Sequence, residues 1–178
     1  EGMISLEEAR LLYDAARACC DACIVEVGSY RGRSTVALAL GSRDGADVPV
    51  YAIEPHESFT GVLGGVFGSQ DRGAFFQGML DTGAYHAVRL VNLSSEEVAP
   101  TWKRAIGVLW IDGDHRYEGV LRDFDVWVWH LTRDAVVLFD DATDPELGPH
   151  RLVAELVATG RWRRLAAVGK VVALVRAA

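Results

Sequence analysis

The sequence predicts an α/β fold built on a seven-stranded, mostly parallel sheet, with helices on both faces and a C-terminal antiparallel hairpin. Three observations carry that reading. Short apolar runs alternate with helix-periodic stretches along the whole chain. The linkers between them are short, as expected of a parallel sheet covered on both faces. The last two strand-like runs flank only Val168 and Gly169, a gap too short for a crossover helix, so they should pair antiparallel. No internal repeat, linker or low-complexity tract interrupts the pattern, and one domain is expected over residues 1–178.

The elements follow in order. Ser5 to about Ala18 reads as an amphipathic helix, with Ser5 and Glu8 as a capping box and Leu6, Ala9, Leu12 and Tyr13 on one face. Cys23–Val27 is the first strand, closed by Gly28, and Ser34–Leu40 a helix ended by Gly41. Val50–Glu54 is the second strand, halted by Pro55. Glycines at 61, 64, 65 and 68 break both periodicities between Glu57 and Ser69. A helix then spans Gln70–Thr82, a third strand Val88–Val91, and a short helix begins at Ser95. Gly107–Asp112 is the fourth strand, Tyr117–His130 a long helix and Ala135–Asp140 the fifth strand. Pro145–Thr159 is helical, and Arg161–Ala167 and Lys170–Arg176 form the hairpin.

Bulk properties exclude several classes. At 178 residues and 50% hydrophobic the chain can bury a substantial core. A net charge of −7 argues against tracking a nucleic-acid backbone, and no apolar run approaches the roughly 20 residues that span a bilayer. Neither nucleic acid nor membrane is an expected partner. The three cysteines all fall within Cys19–Cys23 with no second pair or nearby histidine, which reads as packing at a helix–strand junction rather than a metal knuckle. A reducing, cytoplasmic setting is expected.

The chemistry concentrates where apolar runs stop on acids. Val108–Ile111 leads into Asp112-Gly113-Asp114-His115, and Ala135–Phe139 leads into Asp140-Asp141. In open α/β sheets ligands bind beyond the carboxyl ends of the strands, so these acids should meet at one crevice. Carboxylates ~4 Å apart repel by about 4 kcal/mol at an effective dielectric near 20. A raised pKa or a bound cation must offset that, and hard oxygen donors favour Mg²⁺ or Ca²⁺. The reading is a divalent-metal site.

A second locus joins the first strand to its helix, Glu26-Val27-Gly28-Ser29-Tyr30-Arg31-Gly32-Arg33-Ser34. Its glycines allow a tight turn and close ligand approach. It is neither the dinucleotide fingerprint, whose second glycine comes two residues after the first, nor a phosphate loop, which needs Gly-Lys-Ser/Thr. Glu54 ends the second strand, where a carboxylate can accept from both hydroxyls of a ribose. Ser94 and Ser95 follow the third strand, where they either meet an adenine or cap the next helix.

On these residues the sequence resembles the class I, Rossmann-like S-adenosylmethionine-dependent methyltransferases over nearly its whole length. Glu26-Val-Gly-Ser-Tyr-Arg-Gly is similar to their first motif, Glu54 to their ribose-binding acid and the final hairpin to their terminal strands. Ile111-Asp-Gly-Asp-His-Arg-Tyr-Glu and Phe139-Asp-Asp resemble the metal-dependent O-methyltransferases, nearest to those acting on sugars of macrolide and aminocoumarin antibiotics. Glu57-Ser58-Phe59-Thr60-Gly61 is similar to a segment those enzymes carry after the second strand.

The resemblance implies that Glu26, Gly28, Ser29, Tyr30, Gly32, Ser34, Glu54, Ser94, Ser95 and Asp112 bind S-adenosylmethionine, and that Asp112, Asp140 and Asp141 ligate Mg²⁺. It further implies a small-molecule hydroxyl acceptor, a sugar or other secondary metabolite, with a catechol or phenol as the alternative. A non-catalytic cofactor-binding module is the rival from another class. Either His115 or Asp114 serves as the base, and an imidazole's ordinary pKa lies nearer working pH than a carboxylate's. The chain is shorter than the macrolide enzymes, which leaves room for a homo-oligomer to complete the pocket, or for Gly61–Gly68 to act as a lid.

Overall fold

A computed structural model of the chain describes residues 3–177. Helix α1 (Leu6–Ala18) opens it, with Ser5 Oγ accepting from the Glu8 amide and Glu8 reaching back to the Ser5 amide. Strand β1 (Cys23–Val27) and helix α2 (Arg33–Asp44) follow. Next come β2 (Val50–Ile53), a small ribbon of β3 (Phe59–Thr60) and β4 (Val66–Phe67), and α3 (Ser69–Thr82). Strand β5 (Val88–Val91), α4 (Ser95–Val98), β6 (Ile106–Ile111) and α5 (Tyr117–Trp127) continue the alternation. The chain ends with β7 (Leu131–Phe139), α6 (Gly148–Ala158), β8 (Trp162–Val168) and β9 (Val171–Arg176).

Seven strands form one sheet in the order β5-β2-β1-β6-β7-β9-β8. The first five run parallel, and β9 pairs antiparallel with both β7 and β8. Consecutive strands lead away from β1 in opposite directions, which opens a crevice at its carboxyl end. Register sharpens this. Val27 lies opposite both Ile53 and Ile111, and Ile111 opposite Phe139. The residues just past the strands, Gly28, Glu54, Asp112 and Asp140, therefore emerge at one level.

Strand alternation splits the core in two. Val25, Val27, Leu109, Ile111, Val137 and Phe139 face α5 and α6 through Val120, Phe124, Trp127, Leu152 and Val153. Ile24, Val108, Trp110 and Leu138 face α1, α2 and α3 through Leu12, Ala16, Leu38, Phe75 and Met79. No helix among the described residues is long and apolar enough to cross a membrane.

Several boundaries differ from expectation for physical reasons. Helix α2 runs through Gly41 to Asp44 because that glycine is a contact point: a Cβ there would stand 2.2 Å from the Tyr13 carbonyl oxygen of α1. The helix expected to reach His130 ends at Trp127, and residues 128–130 form a 3₁₀ turn leading into β7, which begins at Leu131. Helix α6 starts at Gly148, after the turn that Pro145 occupies. The glycine-rich stretch contains the β3–β4 ribbon. The terminal hairpin turns at Gly169–Lys170, one residue later than expected.

Candidate active site

A cavity of about 620 Å³ opens at the carboxyl ends of β1, β2 and β6. Its floor is the turn after β1. Gly28 has φ +82, and a Cβ on it would lie 2.2 Å from the Asp112 carbonyl oxygen, so only glycine lets the turn press against the end of β6. Gly28, Ser29, Tyr30, Gly32, Ser34, Glu54, Ser94, Ser95 and Asp112 all line the cavity.

Glu26 does not. It is fully enclosed, and its carboxylate accepts from Ser29 Oγ at 2.9 Å, Ser34 Oγ at 2.5 Å and Thr35 Oγ1 at 2.5 Å. Expected as a cofactor contact, Glu26 instead ties the turn to the first residues of α2 from behind. Burial pushes its pKa up to about 7, although the three hydroxyls pull the other way.

Glu54 reaches the cavity but is already engaged. Oε2 accepts from the Ser29 and Tyr30 amides at 3.1 and 3.0 Å, and Oε1 from the His56 amide at 2.9 Å. A carboxylate offers about four lone-pair sites, so acceptor capacity remains. Ser94 caps α4 in a box with Glu97. Ser95 is buried, and its Oγ accepts from Trp127 Nε1 at 3.1 Å.

The acids after β6 and β7 do converge. Ligating atoms of Asp112, His115 and Asp140 lie within 4.8 Å of one another. Burial, and then Asp140 beside it, hold the Asp112 carboxyl well above the ordinary carboxylate range. Asp140 is raised too, chiefly by burial.

A residue the sequence reading missed sits among them. Lys170, in the terminal hairpin turn, places Nζ 2.6 Å from Asp140 Oδ2 and 3.2 Å from Asp141 Oδ1. Burial disfavours its charge, but the hydrogen bond to Asp140 and the surrounding carboxylates outweigh this and raise its pKa. The register Phe139↔Val172 brings the turn beside Asp140 and Asp141, and no local motif announces that pairing. The expectation that a dication must offset the repulsion is thus corrected, because an ammonium already offsets part of it.

Asp141 departs from the expected triad as well. Its other oxygen faces His115 Nδ1 at 3.4 Å, so lysine and imidazole share its carboxylate. Asp140 Oδ1 nevertheless remains buried with no nitrogen or hydroxyl donor, and the Asp112 carboxyl hydrogen-bonds to Asp140 when it holds its proton; a divalent cation could take that proton's place between the two acids. The donor set fits Mg²⁺.

The two candidate bases differ in freedom. Both oxygens of Asp114 accept from Arg116 Nε at 3.0 and 2.9 Å, and Oδ1 also accepts from the Arg116 amide at 3.0 Å. His115 lies between Asp112 Oδ1 and Asp141 Oδ2, each 3.4 Å from a ring nitrogen, and both candidates line the cavity. Phe59, Val62, Leu63 and Phe67, from the ribbon and its loop, supply an apolar wall of the cavity. The cysteines take no part. Cys19 and Cys23 are buried, and burial pushes the Cys23 thiol up to about 11.

Residues 25–142 match the family described as a methyltransferase domain. A curated relative, the uncharacterized protein R132 of Acanthamoeba polyphaga mimivirus, is 31% identical over 67 residues, covering 34% of this chain and only 30% of that protein. Among solved structures, the O-methyltransferase TomG of Streptomyces achromogenes, involved in tomaymycin synthesis and bound to SAM, superposes with a TM-score of 0.71 at 19% identity. That match covers 99% of this chain and 82% of TomG. An O-methyltransferase of Bacillus cereus in complex with SAH gives 0.73 at 17% identity, covering 98% and 83%. At these identities the two structures bear on the fold alone.

Proposed function

The chain belongs to the methyltransferase-domain family, and we propose that it is a Mg²⁺-dependent O-methyltransferase moving a methyl group from S-adenosylmethionine to a small-molecule hydroxyl. One observation carries this reading: the acids after two neighbouring parallel strands, Asp112 and Asp140, converge with His115 beside a cavity floored by the glycine turn. We take residues 1–178 to act as one catalytic domain. TomG, bound to SAM, and the Bacillus cereus enzyme, in complex with SAH, support the choice of cofactor.

The turn from Gly28 to Gly32, with Ser34 at the start of α2, holds the amino-acid portion of the cofactor, and Glu54 accepts from its ribose. Glu26 acts through Ser29, Ser34 and Thr35 as a positioning residue. Asp112 and Asp140, with Asp141 beside them, would hold the metal. When bound, Mg²⁺ supplies positive charge that stabilises an oxygen losing its proton. His115 takes the acceptor's proton on a ring nitrogen, and the resulting imidazolium sits between Asp112 and Asp141. Holding acceptor and methyl donor near attack geometry contributes about 7–11 kcal/mol of rate enhancement.

A sugar or other secondary-metabolite hydroxyl is the proposed acceptor. A phenol or catechol is the second reading, favoured by the Phe59, Val62, Leu63 and Phe67 wall, which suits a flat apolar body. The test is calorimetry with S-adenosylmethionine, followed by transfer of a labelled methyl group to panels of glycosides and phenols with Mg²⁺ or EDTA. The expected result is cofactor binding without metal and transfer abolished by EDTA. No cofactor binding would overturn the reading, and EDTA-resistant transfer would remove the metal from it.

A further inference from the structure

Asp114 and Arg116 flank the proposed base and take no part in the proposed chemistry, yet the fold holds both firmly. Helix α5 begins beside them, and its third residue is Gly119, where an added Cβ would stand 2.5 Å from Cβ, Cγ and Oδ2 of Asp114. A glycine in a helix costs about 1 kcal/mol against alanine, and here it gives the Asp114 carboxylate room. That carboxylate accepts from Arg116 Nε at 3.0 and 2.9 Å and from the Arg116 amide at 3.0 Å. The guanidinium carbon also lies over the Phe59 ring of β3, 5.5 Å from its centre. Fixing an arginine gives up about 2 kcal/mol of rotamer entropy, and this one is held both at Nε and across its face.

The other end of the guanidinium is open. Arg116 makes no further hydrogen bond or ion pair among the described residues, so its Nη groups keep their donors, on a side chain 56% exposed that lines the cavity. Other cations at the cavity are committed, Arg31 to Asp71, Arg122 to Glu96 and Lys170 to Asp140. Arg33 starts α2, beside the turn assigned to the cofactor. Two Nη groups in one plane match the two oxygens of a carboxylate. Position points the same way. Asp112 and Asp141 line the cavity and repel an anion, whereas Arg116 attracts one. Arg116 follows His115 directly and stands at the Phe59 end of the apolar wall. One small molecule can therefore rest its body on that wall, with a hydroxyl at His115 and a carboxylate at Arg116.

We infer that Arg116 is an acceptor-binding residue, its Nη groups donating to a carboxylate that the acceptor carries beside the hydroxyl to be methylated. The inference rests on the O-methyltransferase reading above and narrows its acceptor to hydroxy acids. A sugar acceptor is then a uronic acid, and a phenol acceptor a phenolic acid. Asp114 and Gly119 are positioning residues for the same contact.

The experiment is calorimetry on the chain saturated with S-adenosylhomocysteine and MgCl₂. It compares protocatechuate with its carboxamide, and methyl glucuronoside with methyl glucoside. In at least one pair the carboxylate should bind about 10- to 100-fold more tightly, the usual worth of a hydrogen bond to a charged group. Arg116→Met and Arg116→Gln should lower that preference to under about threefold while keeping wild-type circular dichroism. A merely structural role for Arg116 would instead weaken both members of a pair alike. Absence of a carboxylate preference in both wild-type pairs, or binding of none of the four compounds, would overturn the inference, as would full preference in either folded variant. A chain that does not bind S-adenosylhomocysteine would fail the cofactor reading itself, a result seen before any acceptor is added.

Discussion

Lys170 Nζ donates to Asp140 Oδ2 at 2.6 Å, so the terminal hairpin places a cation against the acid that ends the central parallel strands. The lysine is fixed from behind: its amide donates to Glu8 Oε1 at 2.8 Å, and Glu8 also closes the capping box of α1. A metal held at this site would therefore compete with the ammonium for the same carboxylates. Lys170→Met should leave the metal-free chain less stable by about 2 kcal/mol, because Asp140 then stays buried without its partner. The same variant should bind Mg²⁺ at least about tenfold more tightly, as removing a nearby positive charge favours a dication. Thermal melts with and without MgCl₂, together with a calorimetric titration, check both halves. Unchanged Mg²⁺ affinity would mean that lysine and metal do not share a site.

Glu26 makes a pH prediction. Its pKa in the fold, about 7, lies above its ordinary 4.5, so between those values the folded chain holds the proton more tightly than the unfolded chain. This group's contribution to stability is full below about pH 4.5, falls as pH rises, and levels off above about 7. The swing corresponds to about 3 kcal/mol. In Glu26→Gln it should vanish, so the variant gains on the wild type between pH 5 and 8. Urea unfolding of both proteins at those two pH values measures it, and parallel curves would contradict the assignment.

What was legible in the sequence divides along physical lines. Strand alternation and short linkers report local burial, and Glu26, Glu54, Asp112 and Asp140 end their strands within a residue of the expected places. Ser5 and Glu8 carry their cap in adjacent chemistry, and the structure forms it. Lys170 was not legible, because it reaches the acids only through the β7–β9 register. Glu26 was read on the wrong side of its turn. A penultimate strand residue points to one face or the other, and only the packing of α2 decides which. Gly41 misled for a related reason, since a glycine that permits close helix contact looks the same in sequence as one that ends a helix.

Two glycines with left-handed backbone separate strain from close contact. Gly83 has φ +70 with nothing within 4 Å of an added Cβ, so Gly83→Ala should cost about 1 kcal/mol from backbone strain. Gly28 has φ +82 and would set its Cβ 2.2 Å from the Asp112 carbonyl oxygen. Gly28→Ala adds displacement of the β6 end to the same strain, and should cost at least about 2 kcal/mol more than Gly83→Ala. S-adenosylhomocysteine binding should disappear in Gly28→Ala and survive in Gly83→Ala. Denaturant unfolding and calorimetry read these outcomes, and equal losses at both positions would remove the argument for close contact.

His115 and Asp114 are neighbours with opposite commitments, which gives the base assignment its test. Both line the cavity, but Arg116 occupies both oxygens of Asp114, whereas the ring nitrogens of His115 have carboxylates beside them. Asp114→Asn keeps an oxygen for the Arg116 amide and should lower kcat less than about fivefold, since no proton transfer is lost. His115→Asn should lower kcat by about 10²–10⁴-fold, the usual worth of a positioned general base, and leave S-adenosylmethionine affinity close to wild type. Steady-state kinetics with whichever glycoside or phenol accepts the methyl group distinguishes the two. A large kcat loss in Asp114→Asn with a mild one in His115→Asn would transfer the role to the aspartate and require that Arg116 swing away during turnover.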